Sequence, residues 1–296
     1  MNSNPVAVYG LGNMGYLVAQ RVAKQFKVKV ADLDTVQVQN ARAAFAAIPI
    51  VDTQDVADVR TVVLCLPTPA ASRHVLGQIA PHLPPDAIVI ETSTVNPDDI
   101  HTCQQLLTPF GLRIIDASIL AGVSQMEAGT ATLLLGGEEE DISAVQAVLD
   151  AIAEKQIHFG PLATGAAAKV INNAVAHAVM VVVAEAGALA TATGVDCNKL
   201  IALLADPQMG LHRPLTHRYA ERVVSGNYEG GMPLDAARKD STLVLELAQS
   251  KGVPLFAIQG SHSAYEIASA AGYGREDYAA VAKVWADWGK PTVPVK

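Results

Sequence analysis

The chain has 296 residues, half of them hydrophobic, and 21 basic against 29 acidic side chains give 21 − 29 = −8 formal charges. That length accommodates two domains with separate cores, and the acidic balance excludes a broad basic footprint for nucleic acid or anionic membrane. Cys65, Cys103 and Cys197 are odd in number, widely spaced and without any C-x-x-C, which argues against a disulfide framework or cysteine zinc site and fits a reducing cytoplasm.

Met1 to Pro5 is short and polar and lacks the regions of a secretory signal, so no export is expected. Val6 to Tyr9 reads as a first strand running into Gly10-Leu11-Gly12-Asn13-Met14-Gly15, and a helix-length segment follows before a second strand at Lys27 to Val30. In that setting the glycines predict a tight turn whose backbone approaches a pyrophosphate at a helix N-terminus. Asp32, at the end of the second strand, is placed to accept hydrogen bonds from the adenosine ribose hydroxyls. Leu33 follows it and no arginine stands there to neutralise a 2′-phosphate, so NAD is expected over NADP.

Further β-branched runs at Thr61 to Leu66 and Ala87 to Ile90 alternate with helical patterns such as Ser72 to Ile79, which predicts a parallel, doubly wound Rossmann-type sheet. Leu112 to Ile115 and Thr132 to Leu135 read as later strands, and Asp141 to Ala153 as one helix. Between these strands, the backbone amides of Ala121, Gly122 and Val123 precede a short helix from Ser124 and form a candidate nest for a substrate carboxylate.

From Thr164 to about Ala192 the chain has no proline and little β-alternation, and Gly194 supplies a stop, so a helix of roughly 40 Å is expected. Ala174 to Ala192 is apolar enough to span a bilayer, but His177 and Glu185 oppose that reading and favour a buried scaffold or interface helix. Lys169 and Asn173 lie one helical turn apart and share a face. Apolar neighbours at Ala166 to Ala168 and Val170 to Ile171 desolvate the ammonium and bring it toward a range useful for proton transfer to a forming alkoxide. His177 lies two turns beyond Lys169 and reads more readily as a core histidine. His212 and His217 fall on different helix faces with no carboxylate or cysteine cluster, so no metal is expected. After Val195, helices separated by Pro207, Pro214, the Gly226 to Pro233 loop, Gly252 and Gly272 complete an α/β chain: a dinucleotide-binding domain over 1–162, then an all-α C-terminal domain over 163–296 that includes the long interdomain helix.

Four segments in this order resemble the β-hydroxyacid dehydrogenase family, whose members include 3-hydroxyisobutyrate dehydrogenases, and the resemblance covers nearly the whole chain. They are the glycine fingerprint with its Asn-Met insert, Asp116 to Gly129, the Gly165 to Asn173 stretch matching G-x-x-x-K-x-x-N-N, and Lys239-Asp240 matching a final K-D motif. The resemblance implies an oxidoreductase passing a hydride between NAD and a small 3-hydroxyacid or its semialdehyde, without a metal. It makes Lys169 the general acid or base and puts Asn173 and Asp240 on the substrate beside Leu120, Ala121 and Gly122. The cofactor then falls to Gly10, Leu11, Gly12, Asn13, Met14, Asp32, Leu66, Pro67, Thr94 and Lys239.

The family usually reads D-x-P-x-S-G-G where this chain has Asp116-Ala117-Ser118-Ile119-Leu120-Ala121-Gly122, so a serine hydroxyl for the substrate carboxylate is replaced by Leu120. Such a charge-assisted hydrogen bond is worth about 1.5 to 3 kcal/mol. Met232 stands where an aromatic residue is common and makes the pocket more apolar. An imine reductase-like enzyme and a catalytically inactive nucleotide-binding interaction protein are the competing readings, and retention of Lys169 and Asn173 speaks against both. Partners are expected to be a small-molecule substrate and a second copy, as homodimer or homotetramer.

Overall fold

The central β-branched runs pair side by side because they are apolar on both faces, the pattern of strands covered by helices above and below. The structure is a computed structural model that describes residues 4–286. Its sheet contains β1 (Val6–Tyr9), β2 (Val28–Ala31), β3 (Ile48–Pro49), β4 (Thr61–Leu64), β5 (Ile88–Glu91), β6 (Arg113–Leu120), β7 (Thr132–Gly136) and β8 (Lys155–His158). They lie in the order β3-β2-β1-β4-β5-β6-β7-β8, parallel except where β7 pairs antiparallel to β6. The first six strands have the 3-2-1-4-5-6 order of a dinucleotide-binding fold, as expected.

Helices α1 (Asn13–Val22), α2 (Thr35–Phe45), α3 (Pro69–Ile79), α4 (Pro97–Leu107), α5 (Val123–Ala128), α6 (Glu139–Ala144) and α7 (Gln146–Ile152) connect the strands. One core holds Val6, Val8, Ile90 and Ile115 against Val18 and Val22 of α1, Met126 of α5 and Leu149 of α7. The opposite core holds Ala7, Leu64, Val89 and Ile114 against Leu76 of α3 and Leu107 of α4.

Four elements differ from expectation, the first being the two-residue edge strand β3, too short to stand out as a strand in the sequence. The helix expected over Asp141 to Ala153 is two short helices, because Val145 buries its side chain and its backbone leaves helical geometry (φ −112°, ψ 11°). The strand expected at Leu112 to Ile115 continues to Leu120, since beyond Asp116 it finds a second hydrogen-bonding partner in β7. The edge strand β8 carries Lys155, Gln156 and His158, too polar for its pairing to be visible in hydropathy.

Helix α8 (Thr164–Thr193) follows, and the chain divides into two compact units between Ala174 and Val175, inside that helix. The described remainder is helical, with α9 (Cys197–Ala205), a π-helical turn over Pro214–Val223, α10 (Leu234–Lys251), α11 (Ala257–Ala268) and one isolated antiparallel bridge, Pro233 to Asp277. Within this unit Leu234, Ala268 and Ala280 are buried among Tyr228, Tyr265, Tyr273 and Tyr278. Asp277 is fully buried and faces Arg218 at 3.3 Å and Arg222 at 3.6 Å.

Candidate active site

Three turns leave the C-terminal ends of β1, β4 and β5 and pack on one another, forming the crevice in which open α/β sheets bind ligands. Gly10 opens the first with φ +93°, and its Cα lies so close to the Cys65 carbonyl that a Cβ would collide with it. Gly12 caps α1, Asn13 is exposed on its first turn, and Met14 is half-buried against the core. Asp32 reaches back from β2, and its Oδ2 accepts from Leu11 N at 2.5 Å while Oδ1 accepts from Asp34 N at 2.7 Å. The carboxylate is therefore fixed beside the glycine turn with lone pairs left for a ribose hydroxyl, and Leu33 beside it is fully exposed.

The second turn, Cys65-Leu66-Pro67, is tied to the third by Leu66 N, which donates to Ser93 Oγ at 2.8 Å. Ser93 N in turn donates to Glu91 Oε1 at 2.9 Å. Thr94 is exposed at the end of this turn, and Val95 packs on Ala163 and Ala166 at the start of α8. The first turn of α8 is thus a wall of the same crevice.

Asp116 anchors that wall. Its carboxylate is fully buried; Oδ1 accepts from Ala163 N and Oδ2 from Ala166 N, both at 2.6 Å, at the positive end of the helix. Gly165 lies against the Leu134 carbonyl and the Asp116 carboxylate, where a Cβ has no room. One turn on, Lys169 is 9% exposed, and burial pushes its ammonium below the ordinary lysine range. Asn173, on the same helix face, is half-buried.

Leu120 is half-buried at the end of β6, on the strand face that carries Asp116 and Ser118. Of the amides that follow, Gly122 N donates to Gln125 Oε1 at 2.8 Å, so one donor of the expected nest is already engaged, and Ala121 is half-buried. Lys239 and Asp240 lie on α10 in the second unit, both exposed and ion-paired to each other at 2.9 Å. Met232 is half-buried there, and its carbonyl accepts from Tyr278 N. Histidines 177 and 212 are exposed, and no metal-holding cluster of His, Cys, Asp and Glu occurs among the described residues.

The sequence reading missed the two buried carboxylates, Glu91 and the anchoring role of Asp116, together with Ser93. The one available signal was an acid closing each of two otherwise apolar runs, Ile88–Glu91 and Ile114 to Asp116.

Comparison with known proteins agrees with this fold. Residues 5–160 match the family described as the NAD binding domain of 6-phosphogluconate dehydrogenase, and residues 163–285 that described as NAD-binding of NADP-dependent 3-hydroxyisobutyrate dehydrogenase. The chain is 30% identical over 292 residues to the L-threonate dehydrogenase of Haemophilus influenzae, covering 97% of this chain and 96% of that one. A solved 3-hydroxyisobutyrate dehydrogenase from Mycobacterium tuberculosis with L-serine aligns at TM-score 0.67 and 23% identity, covering 95% and 98% of the two chains. An imine reductase from Myxococcus stipitatus, a V8 variant in complex with NAD+, aligns at TM-score 0.85 and 17% identity over 95% and 99%. At such identities the two solved structures report on fold alone.

Proposed function

This chain belongs to the β-hydroxyacid dehydrogenase family, a group of nicotinamide-dependent oxidoreductases, and from that premise we propose that it uses NAD to interconvert a small 3-hydroxyacid and its semialdehyde with Lys169 as proton shuttle. The observation that carries this is the position of Lys169, one turn beyond a helix start held by Asp116 and packed against the Thr94-Val95 turn.

The residues present fit the coenzyme. The turn at Gly10 leaves no side chain between backbone and ligand, the N-terminus of α1 favours a pyrophosphate, and Asp32 accepts from ribose hydroxyls while repelling a 2′-phosphate. Leu66, Pro67 and Thr94 border the nicotinamide end in this reading. The coenzyme supplies the hydride acceptor in oxidation and the donor in reduction. Lys169 Nζ takes the hydroxyl proton as the carbonyl forms and returns it to the oxygen in reduction. Asn173, one turn away, orients the substrate oxygen. Leu120 and the engaged Gly122 amide weaken recognition of a carboxylate, so substrates with an apolar group at that end are favoured within the class.

We assign Lys239 and Asp240 of α10 to the coenzyme and the substrate respectively, in line with the K-D motif. We place the enzyme in the cytoplasm and as a homodimer or homotetramer.

The test is a screen of hydroxyacids, semialdehydes and cyclic imines with each coenzyme, following nicotinamide absorbance in wild type and Lys169→Ala. Loss of one catalytic acid or base lowers turnover by about 10²- to 10⁴-fold while NADH binding, read by fluorescence, is retained. Near-normal turnover in Lys169→Ala would sink the lysine assignment, equal kcat/KM with NADP would sink the NAD preference, and cyclic imine turnover above hydroxyacid turnover would favour imine reduction.

A further inference from the structure

Two buried carboxylates stand side by side where β5 and β6 reach the crevice: Glu91 and Asp116 are register partners, 1% and 0% exposed. Burial raises the Asp116 carboxyl as well, but both its oxygens sit on helix amides, which favour its charge over that of Glu91. Glu91 receives one amide, from Ser93, on Oε1; its Oε2 is buried without a hydrogen-bond partner, and so is the hydroxyl of Ser72 of α3. Two carboxylates so placed in a dry interior do not both ionise. The proton goes to Glu91, which has the poorer set of donors, one backbone amide against two on Asp116.

What Glu91 holds is the coenzyme edge of the crevice. Its Oε1 fixes the Ser93 amide, Ser93 Oγ fixes the Leu66 amide, and the Cys65-Leu66 turn packs on Gly10. We propose that Glu91, as a neutral acid, is a positioning residue for the nicotinamide coenzyme: it clamps the β5–α4 turn and, through Ser93, the β4–α3 turn, and its ionisation loosens both.

Burial raises the Glu91 carboxyl above the ordinary glutamate range; the hydroxyl and amide of Ser93 partly offset this, and Asp116 adds to the rise. The other groups facing this spot leave the direction unchanged. The thiols of Cys65, after β4, and Cys103, on α4, are each pushed up to about 11 and stay neutral. Arg73 of α3 and Asp99 of α4 are paired at 2.9 Å and offset one another. Coenzyme affinity is therefore full while Glu91 is protonated and falls as pH climbs through its raised pKa.

The proposal rests on the coenzyme reading of the crevice and on no particular substrate. It is tested by fluorescence titration with NADH from about pH 6 to about pH 9.5 in wild type, Glu91→Gln, Glu91→Ala and Ser93→Ala. The wild-type Kd rises about fivefold to tenfold at the alkaline end, because a second buried charge beside Asp116 forces the pair apart and loosens the clamp. Glu91→Gln keeps an acceptor for Ser93 with no charge to acquire, so its Kd stays flat across the range. Glu91→Ala binds about fivefold to tenfold more weakly at every pH. Ser93→Ala weakens binding similarly but keeps the alkaline rise, which guards against misfolding of Glu91→Ala. A flat wild-type profile, an alkaline rise retained in Glu91→Gln, or unweakened binding by Ser93→Ala would each overturn the proposal. All four readings concern NADH alone, so a failed substrate screen leaves them interpretable.

Discussion

Lys169 is the residue on which the proposed chemistry turns, and its burial decides the pH at which each direction runs. Reduction needs the protonated amine and oxidation the free base, and burial lowers the pKa that separates them. Reduction kcat is therefore expected to fall, and oxidation kcat to rise, as pH increases through a value below the ordinary lysine range. Opposite limbs at a common pH in wild-type kcat profiles would bear this out, and two limbs of the same sign would refute it. The lysine, the asparagine and the glycine turn were legible in the sequence because each sits in a fixed local spacing. Glu91, Asp116 and Ser93 were not, because the contacts that give them a role, Glu91 with Asp116, Ser93 with Leu66 and Asp116 with Ala166, join segments far apart in the chain that only the sheet register brings together.

At the scale of elements, two helices begin on a carboxylate supplied from elsewhere in the fold. Asp116 of β6 does this for α8, and Glu185 of α8 does it for α11. Glu185 is the polar residue that argued against a bilayer for this apolar helix, and the structure gives it a use. Its Oε1 accepts from Phe256 N at 2.6 Å and Ala257 N at 2.8 Å, and its Oε2 from Ile258 N at 3.0 Å. Glu185→Ala leaves these amides without a cap at an effect of about 1 to 2 kcal/mol, a loss of several degrees in melting temperature. An unchanged melting temperature by calorimetry would show the cap to be dispensable. Asp196 caps α9 within its own segment, accepting from Asn198 N and Lys199 N, which is the local kind of cap that a sequence does reveal.

For the whole molecule, the decisive quantity is the apolar surface that a single chain leaves in water. Helix α8 is apolar and long enough to cross a membrane, yet Ile171, Val175 and Met180 on it are each more than half exposed. A helix apolar on nearly all sides needs a cover, and a second copy supplies it in the assembly proposed above. Light scattering is expected to give at least twice the chain mass at micromolar concentration, and Met180→Asp to reduce it toward one chain with an unchanged circular dichroism spectrum. A monomeric wild type would defeat that assembly.

The alternation of the central strands with helices, the coenzyme turn and the candidate proton shuttle were legible in the sequence alone, since each follows from periodicity or from spacing within a single turn. The length of β6, the break at Val145, the edge strand β8 and the buried Glu91–Asp116 pair were decided only by the tertiary structure. Those features depend on hydrogen bonds and burial between segments far apart in the chain, and such partners exist only once the sheet has set its register.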